Sequence, residues 1–254
     1  MTAPVAGASS EGIAPSSNDS VTTAAVTTNV SGSTFIAAIT WDRPTPSVAN
    51  FESIVDSKGN TYTTIGTQAS YGPTSDPQAR IFICENGVGG SGHTVTVTLT
   101  DPPNDMSLTL FFLEVIGGFL DQEGVATYTT QVGPYDSTTE TTLFKDELLV
   151  SVVFQGAGAN TTVTENTGFT VVQTVTDGAT PRFVGGIGWK LAPTIGPYNS
   201  EWDVPPEDGG ACVYLLTLRG IIPPPEGKEK PTLYLVDQSG GEGLFPDVRI
   251  EAWF

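Results

Sequence analysis

The chain has 254 residues, 38% of them hydrophobic, and sets 28 Asp and Glu against 10 Lys and Arg for a formal charge of −18. A surface this acidic repels nucleic acid and anionic membrane, both of which need a basic footprint. No apolar run approaches the roughly 18 residues of a membrane-spanning helix.

In chain order, residues 1–20 are rich in Ala, Ser, Gly and Pro and read as a flexible or extended N-terminal arm. The start Met1-Thr2-Ala3-Pro4-Val5 has neither the basic region nor the apolar core of a signal peptide, so synthesis in a cytoplasm is expected. From Val21 strand follows strand: Val21–Val30, Thr34–Trp41, then Phe51–Asp56 and Thr61–Gly66 flanking Ser57-Lys58-Gly59-Asn60, which reads as a hairpin. Arg80–Cys84, His93–Thr100 and Ser107–Ile116 come next. The strict alternation of His93–Thr100 predicts Val95, Val97 and Leu99 on a buried face. The second half continues with Thr138–Phe144, Glu147–Phe154, Thr161–Val175, Phe183–Leu191 and Cys212–Leu218, with one helix candidate around Asp146-Glu147-Leu148.

Turn residues punctuate the whole succession (29 Gly, 19 Pro), the pattern of a sandwich or barrel. A weak internal echo pairs Ser33–Trp41 with Glu147–Phe154, Ala79–Cys84 with Pro181–Gly186, and Ser107–Gly117 with Gly210–Gly220. It suggests two interleaved Greek keys. The expected fold is therefore all-β: a single jelly-roll-like antiparallel β-sandwich over residues 21–220, with the N-terminal arm and a C-terminal docking tail. The prolines of 221–231 mark a semi-rigid linker. Beyond it, 232–254 holds two short apolar stretches too small for a core of their own. Leu233, Tyr234, Leu235, Val248, Ile250, Trp253 and Phe254 are the residues expected to dock on another subunit.

The chemistry-bearing residues are few. His93 is the single histidine, read as an exposed strand residue; Ser91, two residues away, is too close in sequence for the spacing to say anything about a triad. Gly87-Val88-Gly89-Gly90-Ser91-Gly92 matches G-x-G-x-x-G, but a strand follows it where a dinucleotide site needs a helix. Asp101 and Asp105, and Glu201 and Asp203, are the candidates for a loop calcium site, with solvated turn residues as the plainer reading. Glu85 and Glu114 could face a sugar across a groove, and Trp41, Trp189 and Trp202 could stack on one. Cys84 and Cys212 sit in apolar strand runs, as buried thiols or, less simply, a bridge. Asn18, Asn29 and Asn160 head N-x-[ST] triplets of the kind a Ser/Thr-rich chain produces by chance. No catalytic residue, metal or cofactor is expected.

The segments Val55-Asp56-Ser57-Lys58-Gly59-Asn60-Thr61-Tyr62, Ser91–Thr98 and Leu113-Glu114-Val115-Ile116-Gly117, continuing loosely through Glu147–Val150 to Leu218, resemble a β-sandwich domain of bacteriophage virion and prophage proteins. The resemblance implies a non-enzymatic structural role in a virion, as a capsid decoration protein or a tail or fibre part. Its implied partners are other virion subunits and further copies of itself. A carbohydrate-binding receptor module is the alternative, with a surface glycan as partner.

Overall fold

The computed structural model describes residues 2–42, 49–72, 77–103, 107–129, 133–157, 162–176, 182–204 and 210–220. The linker 221–231, the tail 232–254 with its seven docking candidates, Asn160 and Asp105 lie outside the described residues.

The described chain is all-β and its sheets are antiparallel. The first half holds β1 (Val5–Ala14), β2 (Ser20–Thr22), β3 (Ser31–Trp41), β4 (Phe51–Asp56), β5 (Thr63–Ser70), β6 (Gln78–Val88), β7 (Val95–Leu99) and β8 (Leu108–Ile116). The second holds β9 (Gly118–Tyr128), β10 (Tyr135–Asp136), β11 (Glu140–Thr141), β12 (Glu147–Ala157), β13 (Thr164–Glu165), β14 (Thr170–Val175), β15 (Arg182–Ala192), β16 (Pro197–Tyr198), β17 (Glu201–Asp203) and β18 (Ala211–Gly220).

The two halves are built alike. The first forms a five-stranded sheet in the order β1-β8-β3-β6-β5 and a three-stranded sheet β2-β7-β4. The second forms β9-β18-β12-β15-β14 and β10-β17-β13, with a small β11-β16 pair added. Strand for strand these are the same orders. One irregularity is copied as well. In β1 an extra residue lies between Ala6 and Ser9, and the Ala8 amide after it donates to the Glu114 side chain of β8. In β9 a register shift precedes Gln122, whose amide donates to the Thr217 hydroxyl of β18.

Alternation along β3 shows the layering. Phe35, Ala37, Ile39 and Trp41 pack toward the β2-β7-β4 sheet with Val95, Val97 and Leu99. Ile36 and Ala38 pack the other way, against Val150, Val152 and Phe154 of β12. The two five-stranded sheets therefore lie face to face, and each is covered outside by small strands. Residues of β3, β8, β12 and β18 are buried on both faces, which is why they read as continuous apolar runs. Phe111 stacks on Phe154 at 5.5 Å between the sheets, and the Tyr214 hydroxyl donates to the Ala79 carbonyl across them. β1 lies by β14 and β5 by β9. Exchanging the halves by a rotation about an axis along the strands turns each of these contacts into the other, so the molecule has an internal pseudo-two-fold.

Several expectations change. Residues 5–14 of the expected arm are the edge strand of a five-stranded sheet, and Ser20–Thr22 begins the outer one. The single sandwich of two interleaved keys is instead two consecutive, equivalent sandwiches sharing a central interface. Phe51–Asp56 and Thr63–Ser70 do not pair as a hairpin: β4 pairs with β7 and β5 with β6, so Ser57–Asn60 carries the chain from one sheet to the other. The helix candidate at Asp146–Leu148 is the turn into β12. Most of Val21–Val30 and Thr138–Phe144 is irregular chain, with only short pairings. The β7 alternation holds, with Val95, Val97 and Leu99 buried.

Candidate functional site

The densest polar cluster forms where the turn after β4 meets the turn before β7. Asp56 ends β4, and its carboxylate accepts the Lys58 and Asn60 amides and the Asn60 side-chain amide. This closes a turn in which Gly59 takes φ +77°, a left-handed backbone that suits glycine. His93 stands beside it, held in place by its backbone pairing with Val26. Its Nε2 lies 2.9 Å from Asp56 Oδ2, and its Nδ1 lies 3.0 Å from the Thr28 hydroxyl.

The Asp56 carboxylate can only accept, so His93 Nε2 donates to it, while the Thr28 hydroxyl, whose oxygen accepts the Gly90 amide, lies within reach of both His93 Nδ1 and the Gly90 carbonyl. Phe35 and Phe112 meet the imidazole edge-on from the core side. Burial pushes the Asp56 carboxyl up, but the hydrogen bonds from Asn60, His93 and Lys58 outweigh it and hold the group below the usual aspartate range. Burial also pushes the neighbouring Tyr62 hydroxyl and Cys84 thiol up, so both are neutral at physiological pH.

Thr28, His93 and Asp56 thus stand in the order hydroxyl, imidazole, carboxylate. The sequence reading of His93 as an exposed strand residue is corrected: it is 1% exposed and bonded on both sides. Acyl transfer from this trio would need the hydroxyl oxygen free to meet a substrate. Here that oxygen accepts the Gly90 amide, Thr28 is buried, and the side chains of His93 and Asp56 are fully covered. What the trio does is fasten together the turns at 28–31, 56–60 and 88–93.

The second half repeats the frame without the histidine. Glu165 ends β13 and accepts the Thr167 and Phe169 amides, as Asp56 accepts those of Lys58 and Asn60, and Gly168 takes φ +88° where Gly59 takes +77°. Thr142 exchanges bonds with Gly196 as Thr28 does with Gly90, amide to carbonyl and amide to hydroxyl. Ser200 occupies the place of His93 and bonds to Ser151, whose hydroxyl also accepts the Trp202 indole N–H. Sequence reasoning missed Thr28 and Asp56 as partners of His93, because their separations of 65 and 37 residues carry no local signal. The acid-x-x-Gly spacing at Asp56–Gly59 and Glu165–Gly168 was the one legible trace.

The remaining candidates fall apart in space. Glu114 is buried and spends its carboxylate on the Ala8 and Asn29 amides and the Ser33 hydroxyl. Glu85 lies on the opposite face of the sheet, where it accepts the Leu120 amide. The two therefore cannot flank one sugar. Trp41 and Trp202 are core residues with their indole N–H groups bonded to Ala49 and Ser151, and Trp189 packs against the central cluster, so the three form no stacking platform. Gly87–Gly92 links β6 to the short approach of β7, with Gly90 and Gly92 at positive φ, and no helix follows. Asp101 is exposed, and Glu201 accepts the Asn166 side-chain amide. No cluster of metal-ligating side chains forms among the described residues. Cys84 and Cys212 are free thiols in separate clusters, so the bridge is not made.

Comparison of the chain with protein-family models, with curated proteins and with solved structures returns no match.

Proposed function

We propose that this chain is a non-enzymatic structural subunit of a bacteriophage particle, a capsid decoration or tail-associated protein. On this reading each half is a jelly-roll-like sandwich and the described region holds two of them back to back. The reading rests first on the likeness of Val55–Tyr62, Ser91–Thr98 and Leu113–Gly117 to a virion sandwich domain. The construction supports it. Of the eight strands of the first half, the first, eighth, third, sixth and fifth lie in one sheet and the second, seventh and fourth in the other, which is the jelly-roll order except that the fifth strand pairs with the sixth and not with the fourth; viral capsid domains use the jelly-roll fold.

The observation that carries a structural role is where the buried polar groups are spent. Thr28, His93, Asp56 and Glu114 tie turns and strands to one another. The glycan alternative has no comparable support, since two of its three tryptophans are core residues.

Attachment is assigned to residues 232–254, through Leu233, Tyr234, Leu235, Val248, Ile250, Trp253 and Phe254. Removal of 221–254 is expected to abolish incorporation into particles while far-UV circular dichroism and melting of the remaining domain stay near those of the full chain. Particles assembled with tagged full-length and truncated protein, purified and imaged by electron microscopy, give the answer. Normal occupancy by the truncated chain sinks the attachment role. Absence of the full chain from every particle sinks the virion reading itself.

A further inference from the structure

Corresponding turns of the two halves are tied differently, and the difference is a titratable ring. His93 is the chain's single histidine, and its side chain is fully covered. In the second half Ser200 stands in its place, bonded to Ser151. A buried imidazole can change charge in place only if the partners of both nitrogens suit both forms of the ring.

Nε2 faces the Asp56 carboxylate at 2.9 Å, and a carboxylate accepts from the neutral and the charged ring alike. Nδ1 is the demanding side, because with Nε2 donating it accepts in the neutral ring and donates in the charged one. The group opposite it, at 3.0 Å, is the Thr28 hydroxyl, which does either. With the ring neutral, Thr28 donates to Nδ1. With the ring charged, Nδ1 donates to Thr28 Oγ1, and the hydroxyl proton turns to the Gly90 carbonyl, 3.5 Å away. The Gly90 amide donates to Oγ1 in both states, and the two lone pairs of that oxygen serve both donors.

The ionised groups bonded to the ring and its partners are carboxylates. Asp56 ends β4, and Glu114 of β8 accepts the amide of Asn29, next to Thr28, and the Ser33 hydroxyl. Tyr62, which donates to Asp56, and Cys84 of β6 are neutral. Lys58 spends its ammonium on the Ser91 carbonyl. Phe35 of β3 and Phe112 of β8, packed on the ring, bring no charge.

We propose that His93 is a proton-binding site with Thr28 as its rotor, so that acidification puts a charge-assisted bond across the turns at 28–31, 56–60 and 88–93 without opening them. The second half, with Ser200 in the same frame, does not respond. The duplicated ends thus differ in one property: a latch that answers to protons is present in the first copy alone. It depends on no partner and on no place in a particle.

With one histidine, the full chain carrying isotope-labelled histidine gives one set of ring signals by nuclear magnetic resonance. Between about pH 8 and about pH 5, either side of the free imidazole value, the ring should pass from the Nε2–H tautomer to the doubly protonated form while the remaining spectrum stays native. Thr28→Ser, which keeps the hydroxyl, should follow the wild type. Thr28→Val, which removes it, should hold the ring neutral for as long as the chain is folded, with circular dichroism reporting the fold. Hydrogen exchange on the wild type needs no variant. Protection of the Lys58, Asn60 and Gly90 amides, corrected for intrinsic rates, should rise about fivefold across the same range. Their counterparts at Thr167, Phe169 and Gly196 should stay level. A ring that stays neutral in the folded wild type, or that charges only as the native spectrum is lost, overturns the proposal. So does a folded Thr28→Val chain that charges like the wild type, or protection that changes equally in both halves.

Discussion

At the scale of single residues, the Asp56 carboxylate gathers more hydrogen bonds than any other group near the candidate site. Its folded-state pKa is depressed, so its contribution is fully present above the unfolded value and is lost as pH falls through the folded one. Thermal stability should therefore drop from about pH 4 downward. Asp56→Asn should remove this acid-dependent part and cost about 1.5–3 kcal/mol at neutral pH, read by urea titration at pH 7 and pH 3. An unchanged pH profile in the variant would exclude Asp56 as its source. Glu11 presents the opposite sign. Burial raises its pKa, and among the described residues its buried Oε2 has no hydrogen-bond partner. The folded state then disfavours its charged form, and stability falls as pH rises through the carboxylate range. Glu11→Gln is expected to raise the melting temperature at pH 7 and to have little effect near pH 3; a variant less stable at pH 7 would contradict this.

At the scale of elements, the duplicated turns show where backbone geometry, not side-chain identity, is preserved. Gly32 enters β3 at φ +76°, and Asp146, its counterpart before β12, takes φ +62°. A non-glycine residue is strained there, less so for Asp than for most. Asp146→Gly should stabilise the chain by up to about 1 kcal/mol, because its loss includes only a surface pair with Lys145. A denaturation midpoint shifted the other way would show that the Asp146 side chain matters more than the strain. Element by element, the long buried strands were legible from their apolar runs, and β7 from its alternation. The connections were not. Ser57–Asn60 has the composition of a hairpin turn, and only the pairing of β4 with β7 and β5 with β6 shows it to be a crossing between sheets. Turn residues specify local φ and ψ; they do not say which strand lies next door.

For the whole molecule, the central interface is the common core of both halves. Phe111 and Phe154 stack at its centre, one from each half. Phe111→Ala should cost about 3–5 kcal/mol. In a double-mutant cycle with Phe154→Ala the two should couple by about 0.5–1.5 kcal/mol beyond their separate effects. Additive losses would mean that the halves are held independently. The duplication was half visible beforehand. Ser33–Trp41 with Glu147–Phe154, and Ser107–Gly117 with Gly210–Gly220, are true counterparts, since Ile36 faces Leu113 as Val150 faces Leu216. The third echo was out of register: Ala79 pairs with Thr40 and Gly185 with Phe154, so Ala79 corresponds to Gly185 and not to Pro181. One Arg beside a Phe misled, because similar letters on neighbouring strands can slip without altering the pattern.

By itself the sequence determined that the chain is all-β, that the Val95, Val97 and Leu99 side chains turn inward, and that Cys84 and Cys212 lie in apolar strands. Period-2 alternation and apolar runs depend on neighbours along the chain, so they can be read from it. Only the tertiary structure decided that the sandwich is built twice, that residues 5–14 are a strand of it, that Glu85 and Glu114 face apart, and that His93 is locked between Thr28 and Asp56. Each of these depends on groups that are distant in sequence and meet only when sheets pair and stack.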